Sequence, residues 1–134
     1  MNCRYMMHQK ALLFKDEETA AEILKETDPG RTQALGRKVK NFDKSLWIEN
    51  RNRIVEEGSY HKFKHSLLEA KDLKAMLLAT GNRELVETSP VDRIWGVGFG
   101  EEDAEENRDQ WGLNLLGKAL TRARQQIREE ESKL

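Results

Sequence analysis

The sequence has few of the residues that mark secreted and membrane proteins. It contains a single cysteine, Cys3, among 134 residues, so an internal disulfide is excluded. This usage favours a reducing compartment, and we expect the protein in the cytosol or the nucleus. The longest apolar run covers only residues 75–79, far short of the roughly 20 residues of a membrane-spanning helix. Residues 1–4 precede no long apolar stretch, so we expect no signal peptide.

The chain also lacks an excess of charge of either sign. Lysine and arginine total 23 and aspartate and glutamate total 24, which gives a net charge of −1. No overall basic field is therefore available to recruit nucleic acid. Only two residues are proline and 37% are hydrophobic, which indicates a polar but folded chain rather than a disordered one. The length predicts one domain, since domains usually contain roughly 100–200 residues.

Apolar residues recur mostly at helical spacing along the chain. Asp16 and Asp43 are predicted to cap helices, whereas Asp28-Pro29-Gly30 and Gly58 are predicted to end them. The predicted helices cover residues 5–14, 17–26, 32–35, 44–58, 59–79 with a break near Ala70, and 112–130. Residues 84–88 are the one strand candidate, and residues 89–109 are predicted as a long loop.

Residues 90–100 are the richest candidate for chemistry. Asp92 precedes Trp95 by three positions in the sequence, and glycines follow at positions 96, 98 and 100. A carboxylate can stabilise a cation or position water, an indole can stack on a base, and glycine permits close approach to a ligand. The alternative is a glycine-rich turn around a core tryptophan. The glycine spacing excludes a dinucleotide-binding loop, and no P-loop motif is present.

Three further features, made up of five residues, have both a functional and a structural interpretation. Trp47 is either a core anchor or a stacking wall. The cations Arg31, Arg37 and Lys38 could hold a phosphate or could simply be solvated. Lys10 lies in an apolar helix, where an amine can become a nucleophile or can extend its ammonium to solvent.

Two histidines four residues apart, His61 and His65, have a spacing that zinc can use. No third ligand is evident, so exposed histidines on a basic face are the preferred interpretation. The same holds for Cys3 and His8, which form no recognisable nucleophile pair. We therefore predict no metal site.

Several segments, taken in order, resemble the NADAR/YbiA-like N-glycosidase family, and the resemblance spans roughly residues 5–124. No single motif is specific, but their ordered set is. The matching segments are YMMHQKALLF at 5–14, ALGR at 34–37, FD at 42–43, LLATG at 77–81, LVE at 85–87, SPxDxIWGxG at 89–98 and WGxNLLG at 111–117.

The resemblance implies an α+β, predominantly helical YbiA-like fold and a single domain over residues 1–134. It implies hydrolysis of the N-glycosidic bond of a ribosylated or ADP-ribosylated small molecule, without cofactor, metal or membrane. Family substrates include phosphorylated ribosylamino-pyrimidine intermediates of riboflavin synthesis and ADP-ribose attached to nucleobases. Nucleic acid is accordingly expected only as a modified-base substrate.

The resemblance also assigns roles to particular residues. Lys10 and Asp92 are the implied catalytic residues, the lysine as a Schiff-base former with the opened sugar. The implied substrate-binding residues are Trp47, Trp95, Gly96, Arg37 and Asn114. We expect the two indoles and Asp92 to meet around one sugar-sized hollow.

The chain departs from the family at its N-terminal end. A family glutamate that precedes the tyrosine falls on Cys3, and the family's N-terminal β element has no counterpart in the sequence. We therefore expect a member that lacks this N-terminal segment and has reduced catalysis. The alternatives are a nucleotide-sugar binding module and a helical interaction module.

Overall fold

The computed structural model describes residues 3–65 and 72–134 of the chain. Within these ranges the chain is mostly helical, as predicted, and forms no β-strand, so the α+β class stays a prediction. The predicted break near Ala70 lies outside the described residues. In the part of the chain that the structure describes, no helix is both long and apolar enough to span a membrane.

The chain divides into two compact units, Met1–Gly58 and Ser59–Leu134. In the first unit, helix α1 (Cys3–Leu13) packs against both α2 (Glu17–Lys25) and α3 (Pro29–Arg37). Helix α4 (Lys44–Lys64) begins in this unit and continues past its boundary. The buried apolar side chains of the unit are Met6, Met7, Ala11, Phe14, Ala20, Ile23, Val39, Ile54 and Val55.

Aspartate caps fix the helix starts in the first unit. The buried Asp16 carboxylate accepts from the backbone N–H groups of Thr19 at 3.1 Å and Lys40 at 3.0 Å, which confirms the predicted cap of α2. The Asp43 carboxylate accepts from the backbone N–H of Leu46 at 3.2 Å, as predicted for α4. Each cap satisfies an N–H group that the first helical turn leaves without a partner.

The third helix is longer than predicted. It covers Pro29–Arg37 rather than residues 32–35, with Asp28 as its N-cap. The predicted end of the second helix before Asp28-Pro29 is confirmed, since α2 ends at Lys25, but Pro29 also begins the third helix instead of continuing a turn to residue 32. Proline suits the first helical position, where its missing N–H is not needed.

Gly58 does not end a helix, contrary to prediction, since α4 continues to Lys64. A Cβ atom at position 58 would lie 2.7 Å from Cδ1 of Tyr5. The glycine therefore lets the tyrosine ring of α1 lie directly against the α4 backbone.

The second unit contains α5 (Leu73–Ala79), α6 (Glu101–Ala104), a 3₁₀ helix (Glu105–Gln110) and α7 (Leu115–Ser132). The long loop predicted over residues 89–109 is thus wrong in its second half. The last helix begins three residues later than the predicted residue 112. Its apolar residues Leu116, Ala123 and Ile127, which recur at helical spacing, are buried, whereas Leu113, ahead of the helix, is exposed.

The predicted strand over residues 84–88 is wrong. The segment has no regular secondary structure and pairs with no strand among the described residues. The Asn114 side chain donates to the carbonyl oxygen of Leu85 at 2.9 Å and accepts from the backbone N–H of Glu87 at 3.0 Å. The Val97 N–H donates to the carbonyl oxygen of Glu87 at 3.0 Å. The Asn114 side chain and the Val97 backbone therefore satisfy backbone groups that a neighbouring strand would satisfy in a sheet.

Candidate active site

The half-buried amine of Lys10 is the best-defined chemical group of the first unit. Its Nζ donates to the carbonyl oxygen of Gly36 at 2.8 Å, which fixes its position between α1 and α3. The same nitrogen lies 4.7 Å from the ring centroid of Phe42 and 5.5 Å from that of Trp47. Two aromatic faces thus stabilise the ammonium while excluding part of its water. We call Lys10, Gly36, Phe42 and Trp47 the amine site.

Electrostatics at the amine site favour the neutral amine more than in a free lysine. Burial lowers the pKa of Lys10, and the positive charge of Arg37 lowers it further. A desolvated lysine near a second cation carries its nucleophilic lone pair at lower pH. The functional interpretation of Lys10 thus has a physical basis.

Trp47 is not a core residue, because its side chain is only partly buried and the neighbouring Leu46 and Ile48 are exposed. Its ring instead forms one wall of the amine site, and Phe42 forms another. The sequence reasoning missed Phe42 as a wall. Its position directly before the Asp43 cap, five residues ahead of Trp47, was the available signal.

The other cations proposed for phosphate binding separate into two groups. Arg31 and Lys38 line a hollow of about 440 Å³ between α2 and α3, which the carboxylates of Glu22 and Glu26 also line. Arg37 does not line this hollow and acts on Lys10 through its charge. Substrate binding by Arg37 stays a prediction.

Cys3 occupies the position at which the resemblance expects glutamate. Its Sγ lies 3.9 Å from the carbonyl oxygen of Pro29, to which the thiol donates. Burial raises the pKa of the Cys3 thiol, so the group is neutral near pH 7. A neutral thiol cannot supply the negative charge of a carboxylate.

In the second unit, Asp92 organises its own loop. Its Oδ1 accepts from the backbone N–H groups of Ile94 and Trp95, both at 2.9 Å. Oδ2 receives no hydrogen bond from the residues that the structure describes. Two hydrogen bonds thus orient the carboxylate and leave one oxygen for a ligand, as electrostatic or general-base catalysis requires.

Gly96 has a packing reason to be glycine. A Cβ atom there would lie 2.7 Å from the carbonyl oxygen of Glu87 and 2.9 Å from that of Asp92. The close approach holds the Asp92 loop against the segment over residues 84–88. Trp95 is partly buried, and its carbonyl oxygen accepts from the N–H of Leu116 at 3.0 Å. That Trp95 and Gly96 form the rim of a pocket stays a prediction.

Asn114 is buried and has left-handed backbone conformation, with φ 49°. Both ends of its side-chain amide are bonded to Leu85 and Glu87, and its backbone N–H donates to the carbonyl oxygen of Gly96 at 3.0 Å. The residue therefore positions the segments that flank Asp92. Its direct contact with substrate stays a prediction.

Comparison with known proteins shows the family to which the chain belongs. The profile of the NADAR domain matches residues 2–128. The chain belongs to the NADAR family. It is 39% identical over 125 residues to an N-glycosidase of Acanthamoeba polyphaga mimivirus, which covers 92% of this chain and 71% of that protein.

Two further relatives match the same NADAR region. Protein irg-1 of Caenorhabditis elegans is 34% identical over 128 residues, covering 92% of this chain and 58% of that protein. An N-glycosidase of Nostoc punctiforme is 33% identical over 124 residues, covering 92% of this chain and 71% of that protein.

The predicted site residues of this NADAR domain fall into two groups. The first unit contains Lys10, Arg37 and Trp47, whereas the second contains Asp92, Trp95, Gly96 and Asn114. Within each unit the structure connects the members, through Lys10 in one and through the Asp92 loop in the other. The expected meeting of both groups around one hollow stays a prediction.

Among the described residues, His61 in α4 and His65 just after its end have no third ligand beside them. The rings of His61 and His65 stack with centroids 5.7 Å apart. Among residues 3–65 and 72–134, no group of three or more histidine, cysteine, aspartate or glutamate side chains is placed to hold a metal ion. The pair therefore gives no support to a zinc site.

Proposed function

We propose that this NADAR domain hydrolyses the N-glycosidic bond between a base and C1 of a ribosyl or ADP-ribosyl group. The observation that carries the proposal is the amine site, where Lys10 Nζ is fixed by Gly36, flanked by two aromatic rings and partly desolvated. Membership of the NADAR family and two relatives named N-glycosidases support this class of reaction.

In the proposed reaction, the neutral Lys10 amine attacks C1 of the ribose. The C1–N bond to the base breaks, and the base leaves with one of the two amine protons. The ring C1–O bond also breaks, and its oxygen takes the other proton, which leaves an imine between C1 and Nζ. Water then adds to C1 and the C1–Nζ bond breaks, which regenerates the amine and releases the free sugar. The sum is substrate plus water giving sugar plus base.

The remaining residues have supporting roles in this proposal. The Asp92 carboxylate stabilises the positive charge that develops at C1 and accepts a proton from the attacking water. The Trp47 ring shields the sugar from solvent, the charge of Arg37 adds to burial in lowering the pKa of the Lys10 amine, and Trp95 with Gly96 borders the base. Asn114 holds the Asp92 loop in place.

Reductive trapping tests the role of Lys10. The protein is incubated with ADP-ribose and cyanoborohydride, and the modified peptide is identified by mass spectrometry. We expect one ADP-ribosyl adduct on Lys10 in the unmodified chain and none on this peptide in Lys10→Met. Lys25→Met, which removes an exposed lysine of α2, is the matched control and should keep the adduct.

Base release tests the reaction itself. An ADP-ribosylated nucleobase and a ribosylamino-pyrimidine phosphate are offered in turn, and the released base is measured by liquid chromatography. Asp92→Asn should lower the rate about 10²–10⁴-fold, the usual contribution of a positioned proton-transfer group. Asp103→Asn, an exposed aspartate of α6, should not. No release from either substrate, with no Lys10 adduct, would contradict the proposal.

A second candidate function is binding of the nucleotide sugar without turnover. The neutral Cys3 thiol favours it, since this position lacks the carboxylate that the resemblance expects. Calorimetry should then detect ADP-ribose binding in a protein that releases no base. Cys3→Glu separates the two candidates: a rate that rises from zero in this variant identifies a binding module that has lost a catalytic carboxylate.

A further inference from the structure

A cationic groove runs beside α7 in the second unit. Two adjoining cavities, of about 370 and 390 Å³, share Asn82, Thr121 and Arg124 as lining residues. Neither cavity includes Lys10 or Asp92 in its lining. The cationic side chains that line them are Arg83, Lys118, Arg122, Arg124 and Arg128.

Three of these cations, Lys118, Arg124 and Arg128, pair with no carboxylate among the described residues. Glu84 is the only carboxylate that lines either cavity among the described residues. Its Oε2 already accepts from Nη1 of Arg108 at 2.7 Å. The groove therefore carries a local excess of positive charge within a chain whose net charge is −1.

Arg124 gives the strongest indication of an anion site, because this charged residue is only 5% exposed. Its Nη1 donates to the Thr80 hydroxyl at 2.7 Å and to the carbonyl oxygen of Arg83 at 3.0 Å, both neutral acceptors. Burial, and then the charge of Arg128, lowers the pKa of Arg124. A buried guanidinium without an anion is costly, and a bound anion would offset that cost.

Arginine side chains hold the loop over residues 79–83 in place beside the groove. Nη1 of Arg128 donates to Oδ1 of Asn82 at 3.0 Å, and Nη2 donates to the carbonyl oxygen of Gly81. The guanidinium of Arg83 donates to the carbonyl oxygens of Ala79 and Thr80. These bonds order the arginines before a ligand arrives, which reduces the entropy lost on binding.

We propose that this groove binds the phosphate or pyrophosphate group of a ligand, with Arg124 and Arg128 as its main donors and Lys118 as an outer cation. Planar guanidinium groups match the geometry of phosphate oxygens, and several of them together favour a multiply charged anion. Two sources supply this chemistry: the phosphorylated end of the ribosyl substrate, which rests on the proposed function, and a separate phosphate ligand.

Calorimetry with sodium pyrophosphate and with inorganic phosphate, at low ionic strength, tests the groove directly. We expect the unmodified protein to bind pyrophosphate more tightly than phosphate. Arg128→Gln should weaken pyrophosphate binding about tenfold or more, because it removes a charge-assisted hydrogen bond. Lys133→Gln makes the same charge change beyond the groove and should leave the affinity unchanged.

Arg128 also bonds to the loop at Gly81 and Asn82, so its replacement affects loop packing as well as charge. A second variant therefore changes charge without removing those bonds. Lys118→Gln combined with Arg122→Gln changes two exposed side chains and should weaken pyrophosphate binding several-fold and reduce its salt dependence. The proposal is overturned if the unmodified protein binds neither anion at millimolar concentration. It is equally overturned if the double variant and Arg128→Gln both bind as the unmodified protein does.

The KM of the proposed reaction distinguishes a phosphate of the substrate from a separate phosphate ligand. A KM that rises in the double variant for a phosphorylated ribosyl substrate, but not for its unphosphorylated form, assigns the groove to the substrate. An unchanged KM with weakened pyrophosphate binding assigns it to a separate ligand, and either result supports the groove. If pyrophosphate binds as expected and no substrate is hydrolysed, the proposed function fails and the groove stands.

Discussion

The ammonium nitrogen of Lys10 lies 5.5 Å from the ring centroid of Trp47, although the two residues are 37 positions apart. They meet because α1 and the first turn of α4 both border the segment that carries Phe42. A lysine against an indole keeps its charge near a favourable ring face while it loses hydration. This relationship turns a residue of an apolar helix into a candidate reactive amine.

Removing the charge of Arg37 should make Lys10 more basic. Burial and the Arg37 charge both lower the pKa of Lys10, so Arg37→Gln leaves burial alone and raises the pKa. The pH dependence of Lys10 acetylation by acetic anhydride, followed by mass spectrometry, should therefore shift to higher pH. Arg31→Gln is the control, and superimposed curves for all three proteins would contradict the assignment.

The same pKa has a consequence for stability. Because the folded chain holds the Lys10 proton less tightly than the unfolded chain, the unfolded state binds more protons between the two pKa values. The contribution of Lys10 to the free energy of unfolding should therefore rise as pH increases through that alkaline interval. Lys10→Met should remove this rise in urea-unfolding measurements made across the interval.

Adding a methyl group at Gly96 should destabilise the second unit. The new Cβ would meet two carbonyl oxygens of the backbone, those of Glu87 and Asp92, which have little freedom to move. We expect Gly96→Ala to lower the free energy of unfolding by about 1–3 kcal/mol. Gly100→Ala is the matched control, since its Cβ would meet no atom within 4 Å. Its effect should stay within about 0.5 kcal/mol in the same urea titration.

Removing the Asn114 side chain should cost more than removing an exposed asparagine. Asn114→Ala leaves Leu85 and Glu87 with unpaired backbone groups, which predicts a loss of about 2 kcal/mol or more. Asn114→Gly removes the same bonds but accepts the left-handed backbone, so it should be less damaging than alanine by about 1 kcal/mol. Asn52→Ala, at an exposed asparagine of α4, serves as the control. Equal stability of the alanine and glycine variants would exclude backbone strain at this position.

Local signals in the sequence predicted much of the helical framework. Asp16 and Asp43 cap helices as expected, because capping depends only on neighbours within one turn. Gly58 and Pro29 misled the prediction because each residue type has two uses. Proline can begin a helix as well as follow one, and glycine can serve a close contact as well as a helix end. The Tyr5 ring that decides the use of Gly58 is more than 50 positions away.

The sequence indicated candidate residues for the site, but it did not indicate which groups those residues contact. Lys10 and Asp92 stand out by residue type and context, yet the carbonyl oxygen of Gly36 and the Phe42 ring became visible only through the packing of the first unit. The two hydrogen bonds of the Asn114 amide to backbone groups were likewise not indicated by the sequence, and contact of Asn114 with substrate stays a prediction. Long-range pairing of this kind has no period or spacing that a single sequence displays.

The hydrogen bonds of residues 84–88 also bear on aggregation. A backbone segment with open N–H and C=O groups is a template on which another molecule can add a strand and start to aggregate. The carbonyl oxygen of Leu85 and both backbone polar groups of Glu87 are already engaged within the chain. We therefore expect the Asn114 amide to hinder intermolecular strand addition, and its loss to favour it.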